Sequence, residues 1–528
     1  MAKKGKLELA WVGKDDRPRL EPRILIEDPE KSYHAKQRRS DGDIFDNILI
    51  KGDNLLALKA LESKYSEAVK CIYIDPPFNT GQAFENYDDG VEHSLWLSLL
   101  RERLELLKRL LAKNGTIFIH IDDNELGYLL VLADEIFGRS NRRYVISFKQ
   151  GSATGHKSIN PGCVNTTNFI LIYSKSQADW EPNRVFTARD VDRRYNQCIE
   201  NYDDDFAGWQ IVPLFKTFSE DIGVSDKVAR KMVKDKPSLL DEWVIKNADR
   251  VVQLANPDYN SVGAETRNFI DMSLGQPDVV FKQVREGYPD IYLRNGKRIL
   301  FYSSKLKKID GRFVSGEPLT TLWDDLLSNN IHKEGGVKFP KGKKPEALIK
   351  RCIEMSTNEG DIVLDSFAGS GSTGATAHKM MRKWIMVEIG EHCETHVVPR
   401  LQKVVDGTDI DGVTKAVNWS GGGGFRYFTL APSLIETDRF GMSIISKDYN
   451  AAMLAEAMCK HMGFTYAPSE TDYWNHGFST ETDFIYVTTQ SLTHDTLRKI
   501  SADVGKGRTL LVCCKAYSGG ENLDNLTI

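Results

Sequence analysis

At 528 residues the chain is too long for one compact core, so two to four domains are expected. With 41% hydrophobic, 27% charged and 10% aromatic residues it is neither disordered nor fibrous, and no apolar run reaches the length of a membrane span. The net charge of −4 gives no support to nucleic-acid binding and does not exclude it, since a local basic face suffices for phosphate contacts.

The N-terminus, Met1-Ala2-Lys3-Lys4-Gly5-Lys6, is basic with no apolar segment behind it, which argues against a secretory signal. Residues 1–45 are polar and read as an N-terminal arm. Ile48-Leu49-Ile50 is a short strand, and Leu55, Leu56, Leu58 and Leu61 after it have helical spacing. Val69 to Ile74 is a buried strand stopped by Pro76-Pro77, because proline disfavours the helical region in the residue before it. An amphipathic helix over Leu95–Leu111, a strand over Gly115–Ile121, a helix over Leu126–Phe137 and a strand over Phe169–Tyr173 follow. This alternation predicts an α/β fold with a mainly parallel, Rossmann-like sheet and helices on both faces.

From about 186 to 325 the alternation fades, as in an inserted domain. From Arg294 to Arg312, Arg294, Lys297, Arg298, Lys305, Lys307, Lys308 and Arg312 stand against one acid, Asp310. They form either a DNA-contacting face or a solvated hairpin. The rhythm returns at Pro345 with a helix through Met355, a strand at Ile362–Leu364, a glycine loop, a helix to Met381 and a strand over Trp384–Ile389. Gly421 to Gly424 reads as a loop. The tail has strands at Phe484–Val487 and Leu510–Val512. The expected parts are 1–45, 46–185, 186–325, 326–431 and a small α/β domain at 432–528. The eight cysteines show no paired CxxC spacing, so neither a metal site nor a disulfide framework is expected, and a reducing cytoplasm fits.

Two motifs carry chemistry. The first is Asp365-Ser366-Phe367-Ala368-Gly369-Ser370-Gly371-Ser372-Thr373-Gly374, between a predicted strand and a predicted helix. Gly369, Gly371 and Gly374 match G-x-G-x-x-G, and Glu388 stands where a ribose-binding acid belongs. The loop alone suits NAD or S-adenosylmethionine, but no Lys-Ser or Lys-Thr closes it as a Walker A loop. Asp365 would repel a pyrophosphate and suits the positively charged methyl donor. The second motif is Asp75-Pro76-Pro77-Phe78-Asn79-Thr80-Gly81. A carboxylate and a fixed carbonyl can hold the two N–H groups of an aromatic amine and free its lone pair, while Phe78 offers a stacking ring for a base outside the duplex.

Together these residues resemble the amino-methyltransferases of DNA, in the permuted class whose catalytic motif precedes the cofactor loop. Asp75 in place of Ser looks like the adenine-N6 branch. Further runs are similar to the Mod subunits of type III restriction–modification systems. They are Lys51 to Leu58, His93 to Leu97 with Arg103-Leu104, Lys344 to Ile349, and Leu510 to Ala516. The resemblance implies S-adenosylmethionine as cofactor, with Asp53 near its adenine, Glu388 on its ribose, and Lys344 and Pro345 at its methionine end. It also implies a target-recognition role for 186–325, double-stranded DNA as substrate, base flipping, a Mod homodimer and a separate Res helicase–nuclease subunit. Phe78 stands where Tyr is commoner, and the chain stops at Leu526-Thr527-Ile528, earlier than such subunits usually do.

Weaker signals stay open. His392 and His396 have helical spacing but no third ligand, which favours surface residues over a metal site. His120 reads as a core histidine or as part of a cleft. Gly151-Ser152-Ala153-Thr154-Gly155-His156-Lys157 reads as a mobile loop near DNA or an ordinary surface loop, and Trp323-Asp324-Asp325 as a cap on the returning sheet. A solitary adenine methyltransferase, a nicotinamide-dependent oxidoreductase and a DNA-binding subunit with a silent methyltransferase are the alternatives to a type III Mod subunit.

Overall fold

Most of the chain is built around one long sheet whose central strands carry almost nothing but buried apolar side chains. The computed structural model describes residues 8–18, 20–79, 92–151, 162–326, 331–339, 342–437, 439–519 and 522–528. Two compact units emerge, one from residues 1–183 with 320–528 and the other from Arg184–Leu319.

In the first unit the chain runs β1 (Leu25–Glu27), β2 (Tyr33–His34), β3 (Asn47–Lys51), α1 (Asn54–Tyr65), β4 (Val69–Ile74), α2 (His93–Leu110), β5 (Leu111–Ile121), α3 (Leu126–Phe137), β6 (Arg142–Lys149) and β7 (Thr167–Ser174). The second unit holds β8 (Phe186–Ala188), β9 (Gln197–Ile199), β10 (Ile211–Pro213), α4 (Leu214–Asp221), α5 (Asp226–Asp235), α6 (Ser238–Lys246), β11 (Val251–Ala255), α7 (Ala264–Gly275), β12 (Phe281–Gln283), β13 (Ile291–Arg294), β14 (Lys297–Phe301), β15 (Leu306–Ile309) and β16 (Arg312–Pro318). The first unit resumes with β17 (Leu322–Trp323), α8 (Glu346–Ser356), β18 (Ile362–Asp365), α9 (Ser372–Lys379), β19 (Lys383–Glu388), α10 (Val398–Asp406) and β20 (Gly424–Leu430).

The large sheet has the order β1-β20-β3-β19-β18-β4-β5-β7-β6-β17, with β2 also on β20. The run from β20 to β5 is parallel throughout. β7 turns antiparallel against β5 and β6, as do β1 and β2 against β20. The apolar run read as a buried strand sits at the centre, where Cys71 to Ile74 are at most 1% exposed. Leu97, Leu100, Leu104 and Leu107 of α2 pack on the same core as β4 and β5. Wholly buried parallel strands need both faces covered, which the helices between them supply.

The stretch read as an arm contributes β1 and β2, and the glycine run Gly421 to Gly424 leads straight into β20. Trp323 is part of the sheet rather than a cap beside it, since β17 pairs in parallel with β6. The inserted stretch forms a six-stranded antiparallel sheet, β10-β9-β11-β14-β13-β12, with α4 to α7 and a smaller sheet β15-β16-β8. The tail contains a five-stranded sheet in which Asp483–Val487 and Thr509–Cys513 pair in parallel. Among the described residues no helix is long and apolar enough to cross a membrane.

Candidate active site

Four neighbouring parallel strands, in the order β3-β19-β18-β4, bring their carboxyl ends to one edge of the sheet. They lead into Asp53, Glu388, the glycine loop and Asp75 respectively. This is the edge at which open α/β sheets bind ligands. Both motifs therefore meet because β4 and β18 are direct partners, with Cys71 opposite Val363 and Ile72 opposite Leu364.

At the end of β4 the Asp75 carboxylate, 18% exposed, is paired through Oδ2 with the ammonium of Lys344. The same ammonium lies 5.1 Å from the centre of the Phe78 ring. Trp96 of α2 donates its indole N–H to the Pro77 carbonyl at 2.8 Å. Two proline rings and this bond fix the backbone that carries Asp75. Asn79 takes a positive φ of 59° and donates its amide to Glu125 at 2.7 Å. Thr80 and Gly81 lie outside the described residues, as does the loop segment Ser152 to Lys157.

His120 lies behind Phe78, with ring centres 5.7 Å apart. It is wholly buried, with Nδ1 2.9 Å from the Tyr73 hydroxyl and Nε2 3.1 Å from the Asn168 amide. Burial, with the Lys344 charge added, holds its pKa well below the ordinary histidine value, so the ring is neutral. His120 is thus a satisfied core histidine that also backs the Phe78 ring.

The glycine loop is shaped from within. Asp365, 3% exposed, accepts the Phe367 N–H at 2.9 Å and the Thr373 hydroxyl at 2.5 Å. Burial pushes its carboxyl up to about 7 against those hydrogen bonds, and the charges of Asp75 and Glu388 push the same way. Glu388, also 3% exposed, accepts the Gly369 N–H at 2.7 Å and the Gly390 N–H at 2.9 Å. The three glycines differ in what surrounds them. A Cβ on Gly371 (φ +76°) would come within 2.8 Å of Val397, and one on Gly374 within 2.3 Å of Met386. At Gly369 (φ +52°) the nearest atom would be the Phe367 carbonyl at 3.9 Å, so this glycine borders open space.

Asp53 caps α1 by accepting the Leu55 and Leu56 N–H groups, and Arg103 of α2 reaches its other oxygen at 3.1 Å. Pro345 precedes the first turn of α8 directly after Lys344.

Behind the loop lies an ion cluster that the sequence reading did not contain. Glu346, Lys379, Arg400 and Asp409 are each at most 1% exposed at the side chain. Lys379 bonds Glu346 and Asp409, both at 2.8 Å, and Arg400 bonds Glu346 at 2.8 Å. Arg400 also donates to the Ser370 carbonyl at 3.1 Å and the Ser372 hydroxyl at 2.8 Å, tying the cluster to the loop. The available signal was the charge of Glu346 and Lys379 on segments that are otherwise core-facing.

The basic segment forms two hairpins. Arg294, Lys297 and Arg298 belong to β13 and β14, joined by Asn295-Gly296, and Lys307, Lys308 and Arg312 to β15 and β16, joined by Asp310-Gly311. All four turn residues have positive φ, the requirement of a two-residue hairpin turn. Lys305 lies in the short turn between the hairpins. His392, expected at the surface, is instead buried at 3% exposure and approaches Glu388 at 3.1 Å, while His396 lies 3.1 Å from the Lys338 carbonyl.

The profile of the DNA methylase family matches residues 69–398. Three relatives illustrate the likeness. The probable type III restriction–modification enzyme HindVI Mod subunit of Haemophilus influenzae is 35% identical over 469 residues, 84% of this chain and 62% of the relative. The type III restriction–modification enzyme EcoPI Mod subunit of Escherichia phage P1 is 26% identical over 69% of this chain and 60% of its own. The type II methyltransferase M.EcaI of Enterobacter cloacae is 26% identical over 65% of this chain and 67% of its own. The chain spans about three fifths of the length of the two Mod subunits.

Proposed function

This chain belongs to the DNA methylase family, and from that premise we propose that it methylates the N6 amino group of an adenine flipped out of duplex DNA, using S-adenosylmethionine. The observation that carries the reading is the position of Asp75 to Phe78 at the end of β4, directly beside the glycine loop at the end of β18.

The adenine amine is a weak nucleophile because its lone pair is drawn into the ring. Asp75 and the Pro76 carbonyl would accept its two N–H groups and keep the lone pair out of the ring, available to take the methyl group as N6 gives up one of those protons. Phe78 stacks on the base, with the neutral His120 ring behind it. A base-stacking ring contributes on the order of 1–3 kcal/mol. Lys344 holds the Asp75 carboxylate in place from the other side.

S-adenosylmethionine supplies the methyl group when bound. The residues fit it: Gly369 borders open space that a side chain would fill, and the partly exposed Asp53 stands at the same edge of the sheet as the loop. Phe367, Gly369, Glu388, Asp53, Lys344 and Pro345 would hold it. Asp365, Gly371, Thr373 and Gly374 act one step back, by setting the shape of the loop.

The unit Arg184–Leu319 is the target-recognition part in this reading, with Arg294, Lys297, Arg298, Lys305, Lys307, Lys308 and Arg312 as phosphate contacts. Similarity to proteins named as type III restriction–modification Mod subunits supports a modification subunit; a homodimer, a Res partner and a cytoplasmic location are part of the same proposal. A solitary methyltransferase is the alternative, and the likeness to Mod subunits weighs against it.

Transfer of labelled methyl to DNA, followed by nucleoside analysis, tests the chemistry. The expected product is N6-methyladenine, and Asp75→Ala abolishes it while cofactor binding survives. N4-methylcytosine as the product, or an active Asp75→Ala variant, refutes the proposal. Modification-sensitive sequencing of DNA from cells that express the chain gives the site and the strand, and co-purification with a Res subunit decides between the two readings.

A further inference from the structure

The six-stranded sheet of the second unit is covered by helices on one face only. Cys198, Val251 and the partly buried Leu300 pack on α4 to α6, and Ile291 and Leu293 pack on α7. Strand alternation sends the next residues the other way. Ile199, Val252 and Ile299 accordingly form a second cluster with Trp209, against which Tyr292 and Phe301 rest.

That helix-free face ends in an aromatic ladder. Tyr202 stacks on Trp209 with ring centres 5.5 Å apart, and Trp209 on Tyr292 at 5.2 Å. Phe301 stands edge-on to Trp209 and Tyr292 at 5.9 and 5.5 Å. The rings line an open cleft of about 580 Å³ together with the hydroxyl side chains of Ser303 and Ser304. Tyr202 is 37% exposed. Its loop is tied down, since Asn201 bonds the Gly208 carbonyl at 3.0 Å and the Gln210 N–H at 2.7 Å.

Cations flank the Tyr292 end of this face, while the exposed acids Asp203, Asp204 and Asp205 follow Tyr202 at the other end. Lys282 is opposite Tyr292 in the register and its ammonium lies 5.6 Å from that ring, while Arg294 and Lys297 are cross-strand partners two residues further along. Lys282 pairs with Asp290, and Arg294 with Asp278 and, through Nε, with the Pro277 carbonyl at 3.3 Å; ion pairs near the surface contribute little.

We propose that this face is a stacking platform for an unstacked nucleobase of the bound DNA, distinct from the adenine taken by Asp75. The base lies on the ladder with its polar edge toward Ser303 and Ser304, and the cations follow the backbone. An aromatic face with cations beside it is the general design for holding bases outside a duplex. The inference rests on DNA as the substrate, as proposed above.

The test uses the full chain and fluorescein-labelled dT20, followed by anisotropy at fixed salt. Tyr202→Phe should bind as the parent does, and Tyr202→Leu, which keeps the apolar area and loses the ring, should bind about 5- to 100-fold more weakly. Equal binding by parent and Tyr202→Leu, or no binding by the parent, overturns the platform. Displacement of dT20 by millimolar tetramethylammonium overturns it too, since the ladder would then be a cation box. Methyl transfer to duplex DNA is measured on the same preparations. Its absence in the parent strikes the Asp75 reading, and the dT20 titration still decides the platform.

Discussion

Replacing Glu346 by Gln removes one charge from the ion cluster behind the glycine loop and almost no volume. In the native chain two cations, Lys379 and Arg400, face two carboxylates, Glu346 and Asp409, all nearly or wholly inaccessible to water. The variant leaves two buried cations with one carboxylate. Breaking a buried pair from one side costs about 3–5 kcal/mol, and because the glutamine oxygen still accepts one bond we expect about 3 kcal/mol. Against a typical total of 5–15 kcal/mol that is a large loss. Arg400 also holds the Ser370 carbonyl and the Ser372 hydroxyl, so the loop should loosen and cofactor affinity fall about tenfold, or roughly 1.4 kcal/mol.

Urea unfolding followed by circular dichroism reads the first effect, and calorimetric titration with S-adenosylhomocysteine the second. Arg400→Met in the Glu346→Gln background restores the charge balance and should recover part of the stability. The pH dependence has a definite sign. Burial alone would raise the Glu346 pKa, but the charges of Arg400 and Lys379 more than reverse this and hold it below the usual glutamate value. Its contribution is therefore present above the unfolded pKa and lost as pH falls through the folded one, so the gap between parent and variant should narrow in acid. An unchanged urea midpoint together with unchanged affinity at pH 7 would refute the reasoning.

Phe78→Ala should weaken binding of DNA with an unpaired target adenine about tenfold while Phe78→Tyr does not, measured by anisotropy. Gly369→Ala and Gly371→Ala both strain a left-handed backbone and lower the melting temperature, but the second, which also meets Val397, should lower it more, while the first should show the larger loss of cofactor affinity relative to stability. Asp365, raised to about 7, contributes stability that is full below its unfolded pKa and is lost as pH rises through 7. Asp365→Asn should therefore gain on the parent between pH 5 and 8, and parallel melting-temperature curves would contradict this.

The central strands were legible because β4 and β18 are short apolar runs, each ended by a residue that cannot continue the strand regularly. α2 was legible because its leucines repeat at helical spacing over many turns. β20 was not, because its buried Phe425, Tyr427 and Phe428 show no strand period, it follows a glycine run and its partner β3 is remote in sequence. β6 mixes exposed Tyr144 and Val145 with buried Ile146 and Phe148, as an outer strand does, and loses its period. The site motifs were legible as residues, yet their partners were not. Nothing local connects Asp75 to Lys344, Phe78 to His120, or Asp365 to Thr373 beyond the loop they share. The ion cluster escaped for a related reason: charged residues inside amphipathic helices read as solvent-facing until tertiary packing surrounds them.

The strand order also sets a timetable for synthesis. β3 and β4 emerge from the ribosome early, but the strands that lie between them in the finished sheet, β18 and β19, are encoded after the whole of Arg184–Leu319. At about 5–20 residues per second, the wait from Ile74 to Ile362 is on the order of 15–60 s. Throughout it the strand that carries Asp75 has an unsatisfied apolar edge, the kind of edge that recruits other chains. The nascent chain thus carries an open strand edge beside Asp75, and the inserted unit, by its length, decides for how long.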